Sequence, residues 1–129
     1  MELQMNKYSN YEINNTDPSE KKRYIRSMFD SIVPTYDLLN RVLSGGIDNF
    51  WRKDLVRLTG GLKNKRVLDI CCGTGDLTRQ LAKAGGELFS LDFSFNMLKK
   101  GVEKGWLSGE NISADAGKLP FKNDTFDFL

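Results

Sequence analysis

Val67-Leu68-Asp69-Ile70-Cys71-Cys72-Gly73-Thr74-Gly75-Asp76 is a short apolar run that ends among acids and passes through two glycines. Residues 67 to 71 have the length and apolar makeup of a buried parallel strand. Gly73 and Gly75 permit a tight turn and let the backbone approach a ligand with no side chain between. From Asp76 onward Leu77, Leu81 and Ala84 recur at helical spacing until Gly85-Gly86 stops them. Residues 88 to 91 form a second apolar run. Strand, helix and strand make a βαβ unit, right-handed by the usual chirality of such crossovers.

Moving toward the C-terminus, Ser94 is placed to cap a helix whose Met97, Leu98 and Val102 face inward. Ile112 marks a brief third strand, and residues 126 to 129 begin a fourth after the Asn123-Asp124 turn. The chain stops inside that apolar run. This predicts the N-terminal part of a longer protein, with Phe126, Phe128 and Leu129 at an uncovered sheet edge through which copies associate.

Toward the N-terminus the pattern is helical. Asp17-Pro18-Ser19-Glu20 offers a cap, a proline at the first helical position and a glutamate three residues after the cap, so a helix is expected over residues 18 to 33. Pro34 interrupts it, and Tyr36, Leu39, Val42 and Leu43 carry a second piece to Ser44-Gly45-Gly46. Asp48 reads as the cap of a third helix with Trp51, Leu55 and Leu58 on one face, ended by Gly60-Gly61. The predicted organisation is therefore a polar, mobile arm over residues 1–16, a helical region over 17–61 and an α/β region over 62–129.

Composition narrows the chemistry. The 129 residues are 40% hydrophobic and 28% charged, which suits one globular domain and excludes a collagen-like or disordered chain. A formal net charge of +2 gives no reason to expect nucleic-acid binding. The basic run from Lys21 to Arg26 is interrupted by Tyr24 and Ile25; it reads first as a solvated helix face, second as a patch for an anionic surface. The polar start and the lack of a long apolar stretch suggest a cytoplasmic protein that is neither secreted nor integral to a membrane. With no histidine, mechanisms built on a histidine base or a histidine-held metal are excluded, and no metal site is expected. Cys71 and Cys72, adjacent, suit a reducing compartment and read as small buried packing residues.

Three acids then converge on one cleft. A dinucleotide loop of the form G-x-G-x-x-G needs glycine or alanine where Thr78 stands, and no G-x-x-x-x-G-K-[ST] is present. Asp69 at the first strand end would repel a pyrophosphate but suits a ligand that carries an ammonium and a sulfonium, as S-adenosylmethionine does. Asp92 ends the second strand, where a carboxylate accepts bonds from ribose hydroxyls. Asp115, after the third, can receive an adenine amino group. The bland readings stand beside these: Gly73 and Gly75 as turn glycines, Asp92 as an anchor for the Ser94 helix, Tyr36-Asp37 and Trp51-Arg52 as helix packing with surface charges.

Together these residues resemble the ubiquinone/menaquinone biosynthesis C-methyltransferases. The likeness runs through Met28-Phe29-Asp30, Tyr36-Asp37-Leu38-Leu39-Asn40, Ser44-Gly45-Gly46, Trp51-Arg52, the loop from Leu68 to Thr78, Asp92-Phe93-Ser94, and Asp115-Ala116 with Leu119-Pro120-Phe121. The loop alone would indicate a class I methyltransferase; the elements before it make the resemblance specific. It implies an open parallel α/β sheet of the class I, Rossmann-like kind, S-adenosylmethionine as cofactor, and methyl transfer to a ring carbon of a prenylated quinol. It carries Thr74, Asp92, Asp115 and Ala116 over as cofactor contacts beside Asp69, Gly73 and Gly75. It leaves no catalytic residue assigned, and Asp48-Asn49-Phe50 stands where the family leads one to expect a histidine. The helices over 17–61 suit a lid over a greasy substrate, and equally plain core packing; a peripheral membrane contact fits the former. Two other functions stay open: a class I methyltransferase for another small molecule, and a cofactor-binding module without turnover.

Overall fold

The computed structural model describes residues 17–129, so the expected arm over residues 1–16 lies outside the described residues. Helix α1 (Pro18–Ile32) opens as its sequence requires: Asp17 Oδ1 accepts from the Ser19 amide at 2.8 Å, and proline occupies the first turn. A 3-10 turn (Val33–Thr35) around Pro34 separates it from α2 (Tyr36–Ser44), which Gly45 ends in the left-handed region at φ 61°. Gly46, also left-handed at φ 83°, leads directly into α3 (Ile47–Leu58). Asp48 therefore sits inside the first turn of α3 rather than capping it. Its carboxylate reaches back to the Ser44 hydroxyl at 2.8 Å and forward to Arg52 at 2.5 Å.

Strands β1 (Arg66–Ile70), β2 (Glu87–Asp92) and β3 (Glu110–Ser113) form a parallel sheet in that order, with α4 (Asp76–Lys83) and α5 (Phe95–Glu103) as crossovers. Alternation in the strands builds two apolar layers. Val67 and Leu88 join Leu62 and Leu81 on one face; Leu68, Phe89 and Leu91 pack on the other with Ile112, Phe121 and Phe126. Leu62 and Leu91 are wholly buried, and burying such a side chain contributes about 1.5–3 kcal/mol.

Several expectations are corrected. Residues 126–129 do not form a strand; Phe128 makes one parallel bridge to Val67 on the free edge of β1, with the Leu68 amide donating to the Phe128 carbonyl at 3.0 Å. The Arg66 amide donates to the Asp127 side chain at 2.8 Å, and the Asp127 amide donates back to the Arg66 carbonyl at the same distance. Phe126 is not exposed at an edge but stacks edge-on against Phe89 and Phe121, 5.1 and 4.9 Å between centroids, while Leu129 is exposed. Val102 is exposed, because Gly101, one residue earlier, is what α5 presses inward. Trp51, Leu55 and Leu58 are exposed too: helical periodicity marks an apolar face without saying that anything covers it. Among the described residues no helix is long and apolar enough to cross a membrane.

Candidate functional site: a cleft at the strand ends

The C-terminal ends of parallel strands are where open α/β sheets bind ligands, and here α1 and α2 cross in front of them. A cavity of about 450 Å³ opens between the two layers. Ile25, Phe29 and Tyr36 form its helical wall; Gly73, Asp92, Ser94, Asp115 and Ala116 form its sheet wall.

The turn after β1 is tight enough that three residues adopt left-handed backbone: Cys71 at φ 58°, Gly73 at 59° and Gly75 at 93°. At Gly73 the requirement is conformational, because the left-handed backbone strains any side chain, while the Tyr36 ring packs over the turn 3.4 Å from where a Cβ would stand. Asp92 holds this turn in place. Its Oδ2 accepts from the Gly73 amide and its Oδ1 from the Ser94 amide, each at 2.8 Å. The anchoring of the Ser94 helix is thus real, yet Asp92 still faces the cavity, with acceptor sites left on each oxygen. Ser94 itself caps α5, accepting from the Met97 amide at 3.2 Å, and donates to Asp30 of α1 at 2.7 Å.

Asp115 lines the same cavity beside Ala116. Lys22 of α1 donates to its Oδ2 at 2.6 Å and the Gly117 amide to its Oδ1 at 2.9 Å, and these bonds hold its carboxyl below the usual range.

Asp69 and Thr74 belong elsewhere. Both line a second, smaller cavity of about 220 Å³ with Arg52 and Asp76, and it shares Tyr36 and Cys71 with the larger one. Asp69 is 9% exposed and accepts from the Thr78 hydroxyl at 2.6 Å. Burial, with the Asp92 charge adding to it, pushes its carboxyl above the ordinary value, though Thr78 works against the shift. Thr74, almost wholly buried, donates its hydroxyl to Asp37 Oδ1 at 2.6 Å, and Lys104 donates to the other Asp37 oxygen. Burial raises the Asp37 carboxyl, but the bonds from Lys104 and Thr74 outweigh it and hold it low. Gly75 lines neither cavity; it lies under Leu107, where a Cβ would come within 2.4 Å.

The cysteines are not the buried packing pair expected. Cys71 is exposed on the cavity wall, its backbone left-handed at the turn, and partial burial together with the nearby Asp92 and Asp69 charges pushes its thiol above the ordinary value. Sequence reasoning gives no role at the site to Thr78 or Lys22, and reads Asp37 and Arg52 first as surface charges on packed helices. Thr78 was visible only as a missing glycine, and the other three as charges on helices.

A family model described as the ubiE/COQ5 methyltransferase family matches residues 16–129. The chain belongs to that family. Similar members include the ubiquinone/menaquinone biosynthesis C-methyltransferase UbiE of Pseudomonas paraeruginosa, 39% identical over 121 residues, covering 88% of this chain and 47% of the relative. A demethylmenaquinone methyltransferase of Staphylococcus aureus is 40% identical over 119 residues, covering 88% and 49%. The chain therefore spans about half the length of the curated relatives it matches. Among solved structures, a magnesium protoporphyrin IX methyltransferase from Synechocystis with bound S-adenosylmethionine superimposes with a TM-score of 0.62 at 21% identity, over 78% of this chain and 57% of that one. A Haemonchus contortus phosphoethanolamine N-methyltransferase gives 0.67 at 21%, over 91% and 26%. At that identity the likeness bears on the fold alone, and the fold is that of class I methyltransferases.

Proposed function

We propose that the chain is the cofactor-binding part of an S-adenosylmethionine-dependent enzyme that methylates a ring carbon of a demethylated polyprenyl quinol. The observation that carries this reading is the array of Asp69, Asp92 and Asp115 around the glycine turn, each beside a cavity that a nucleoside with an amino-acid tail would fill. The residues present fit that group. The acids suit hydroxyl, amine and ammonium donors, and none of the three suits a phosphate. Family membership and the names of the Pseudomonas and Staphylococcus relatives support the quinol as acceptor.

The bound cofactor would supply a methyl group already activated on a sulfonium, so the protein's work is largely positioning. Asp92, fixed by two backbone amides, offers its remaining lone pairs to the ribose hydroxyls. Asp115 and Ala116, on the same cavity wall, would hold the adenine of the bound cofactor. Leu91, Phe93 and Met97 line that end with apolar surface, which excludes water and strengthens each polar contact. Phe29 and Tyr36 close the helical side, where a ring of the acceptor would enter. An apolar acceptor tail favours work at a membrane surface, and Leu43, Phe50 and Leu58 give the helical region exposed apolar side chains toward such a surface.

The test is methyl transfer from isotopically labelled S-adenosylmethionine to demethylmenaquinol by the full-length enzyme of which this chain is the cofactor-binding part, followed by organic extraction. Label in the quinone fraction is the expected result. Label passed only to a different small acceptor would contradict the quinol assignment.

A further inference from the structure

Helices α3 and α4 pack on one face of the sheet, where Val56 and Ala84 join the layer built on Val67 and Leu88. Between them lies a groove of about 520 Å³, a size within the roughly 300–1,000 Å³ usual for small-molecule sites. Asn49, Lys53 and Val56, spaced by four and three residues, put one side of α3 along it, and Arg79, Gln80 and Lys83 form the α4 wall. It shares no lining residue with either cavity at the strand ends.

The groove is lined by three cations and no acid. Lys53 and Lys83 are exposed, and among the described residues neither has an ion-pair partner. Arg79 lies over the Trp106 ring, 4.1 Å from its centroid, and its Nη2 stands 4.0 Å from Asp76. Two polar atoms of the same wall are buried without a partner: the Arg79 Nε donor and the Gln80 Oε1 acceptor. Buried polar groups are nearly always paired. A water would answer these two atoms but leave three like charges around one groove. A ligand that answers all of them carries a multiply charged anionic group for the lysines and Arg79, and a hydroxyl to donate to Gln80, which a fully ionised oxyanion lacks.

The source of such a ligand follows from the helix. Trp51, Leu55 and Leu58, the exposed apolar side chains of α3, fall about half a turn away from Asn49, Lys53 and Val56. A bilayer meeting those apolar residues would find the groove turned away from it, so the ligand comes from solution. We propose that the α3–α4 groove binds a small soluble polyol phosphate, its phosphate between Lys53, Lys83 and Arg79 and a neighbouring hydroxyl on Gln80. This site is separate from the catalytic cleft and does not depend on the cofactor reading.

Calorimetry on the full-length enzyme in phosphate-free buffer tests it with three probes: glycerol 3-phosphate, propyl phosphate, which keeps the phosphate and loses both hydroxyls, and vesicles containing phosphatidylglycerol. Glycerol 3-phosphate should bind saturably and propyl phosphate about fivefold more weakly, on the scale of one hydrogen bond. Lys53→Gln with Lys83→Gln should weaken glycerol 3-phosphate about tenfold or more. Lys21→Gln with Lys99→Gln, the same change of charge at two other exposed lysines, should leave it within about twofold. Gln80→Met should bring glycerol 3-phosphate down to the affinity of propyl phosphate, and prior saturation with S-adenosylhomocysteine should change nothing. Absence of saturable binding overturns the proposal, as does an equal loss in the two double variants, which would mark diffuse charge attraction. Equal affinity for the two soluble phosphates, or a preference that survives Gln80→Met, removes Gln80 from the site. Competition with S-adenosylhomocysteine would put the phosphate in the cleft, and binding of the vesicles alone would make the ligand a lipid headgroup; either result contradicts a separate site for a soluble ligand.

Discussion

Asp69 is a carboxylate kept where a carboxylate is costly. Its folded-state pKa lies above the unfolded value, burial being the main cause, so the folded protein holds that proton more tightly than the unfolded chain. The sign follows. The penalty for ionising Asp69 is absent below the unfolded pKa, grows as pH rises toward the raised folded pKa, and is complete above it. Asp69→Asn should therefore stabilise the protein at neutral pH and lose that advantage in acid, since asparagine still accepts from the Thr78 hydroxyl. The same substitution should weaken S-adenosylhomocysteine roughly tenfold or more, on the scale of a hydrogen bond between charged groups. Urea melts at neutral and acid pH, paired with calorimetry, check both halves. A variant that is destabilised at neutral pH, or that binds as tightly as the unaltered protein, would contradict the account. A stabilising loss of function marks a residue retained for binding rather than for folding.

At the scale of elements, the helical region is tied to the sheet by one polar link per strand exit. Thr74 after β1 donates to Asp37, Ser94 after β2 donates to Asp30, and Asp115 after β3 accepts from Lys22. Asp37→Ala removes the first of these links and the Lys104 bond with it, taking that acceptor from both the Thr74 hydroxyl and the Lys104 ammonium, at a cost of about 1–3 kcal/mol. Hydrogen exchange should speed up across α1 and α2 while β1 and β2 keep their protection. Uniform loss of protection, or none, would show that the helices are not latched through this residue. The elements themselves were legible, because caps, glycines, Pro34 and the change of period at Arg66 are local signals. The links were not: their partners lie 37, 64 and 93 residues apart, and nothing in a helical aspartate says which turn it will meet.

Across the whole molecule, the strand-glycine-helix stretch with its following acids sufficed for the α/β class and for the wall of the cleft that the sheet supplies. Gly73, Asp92, Asp115 and Ala116 do line one cavity. What stayed hidden was the division of the cleft into two, with Asp69 and Thr74 beyond Tyr36, and the burial of Gly75 under Leu107. Both depend on where α2 and α3 dock, and their apolar faces, read as packing surfaces at Trp51 and Leu55, proved to be solvent-facing. The central claim is that the cleft takes S-adenosylmethionine and its demethylated product rather than a dinucleotide. The most direct measurement is a calorimetric titration of the 129-residue chain with S-adenosylhomocysteine and, separately, with NAD. Saturable one-to-one binding of S-adenosylhomocysteine with no response to NAD is predicted; saturable binding of NAD with none of S-adenosylhomocysteine would contradict it.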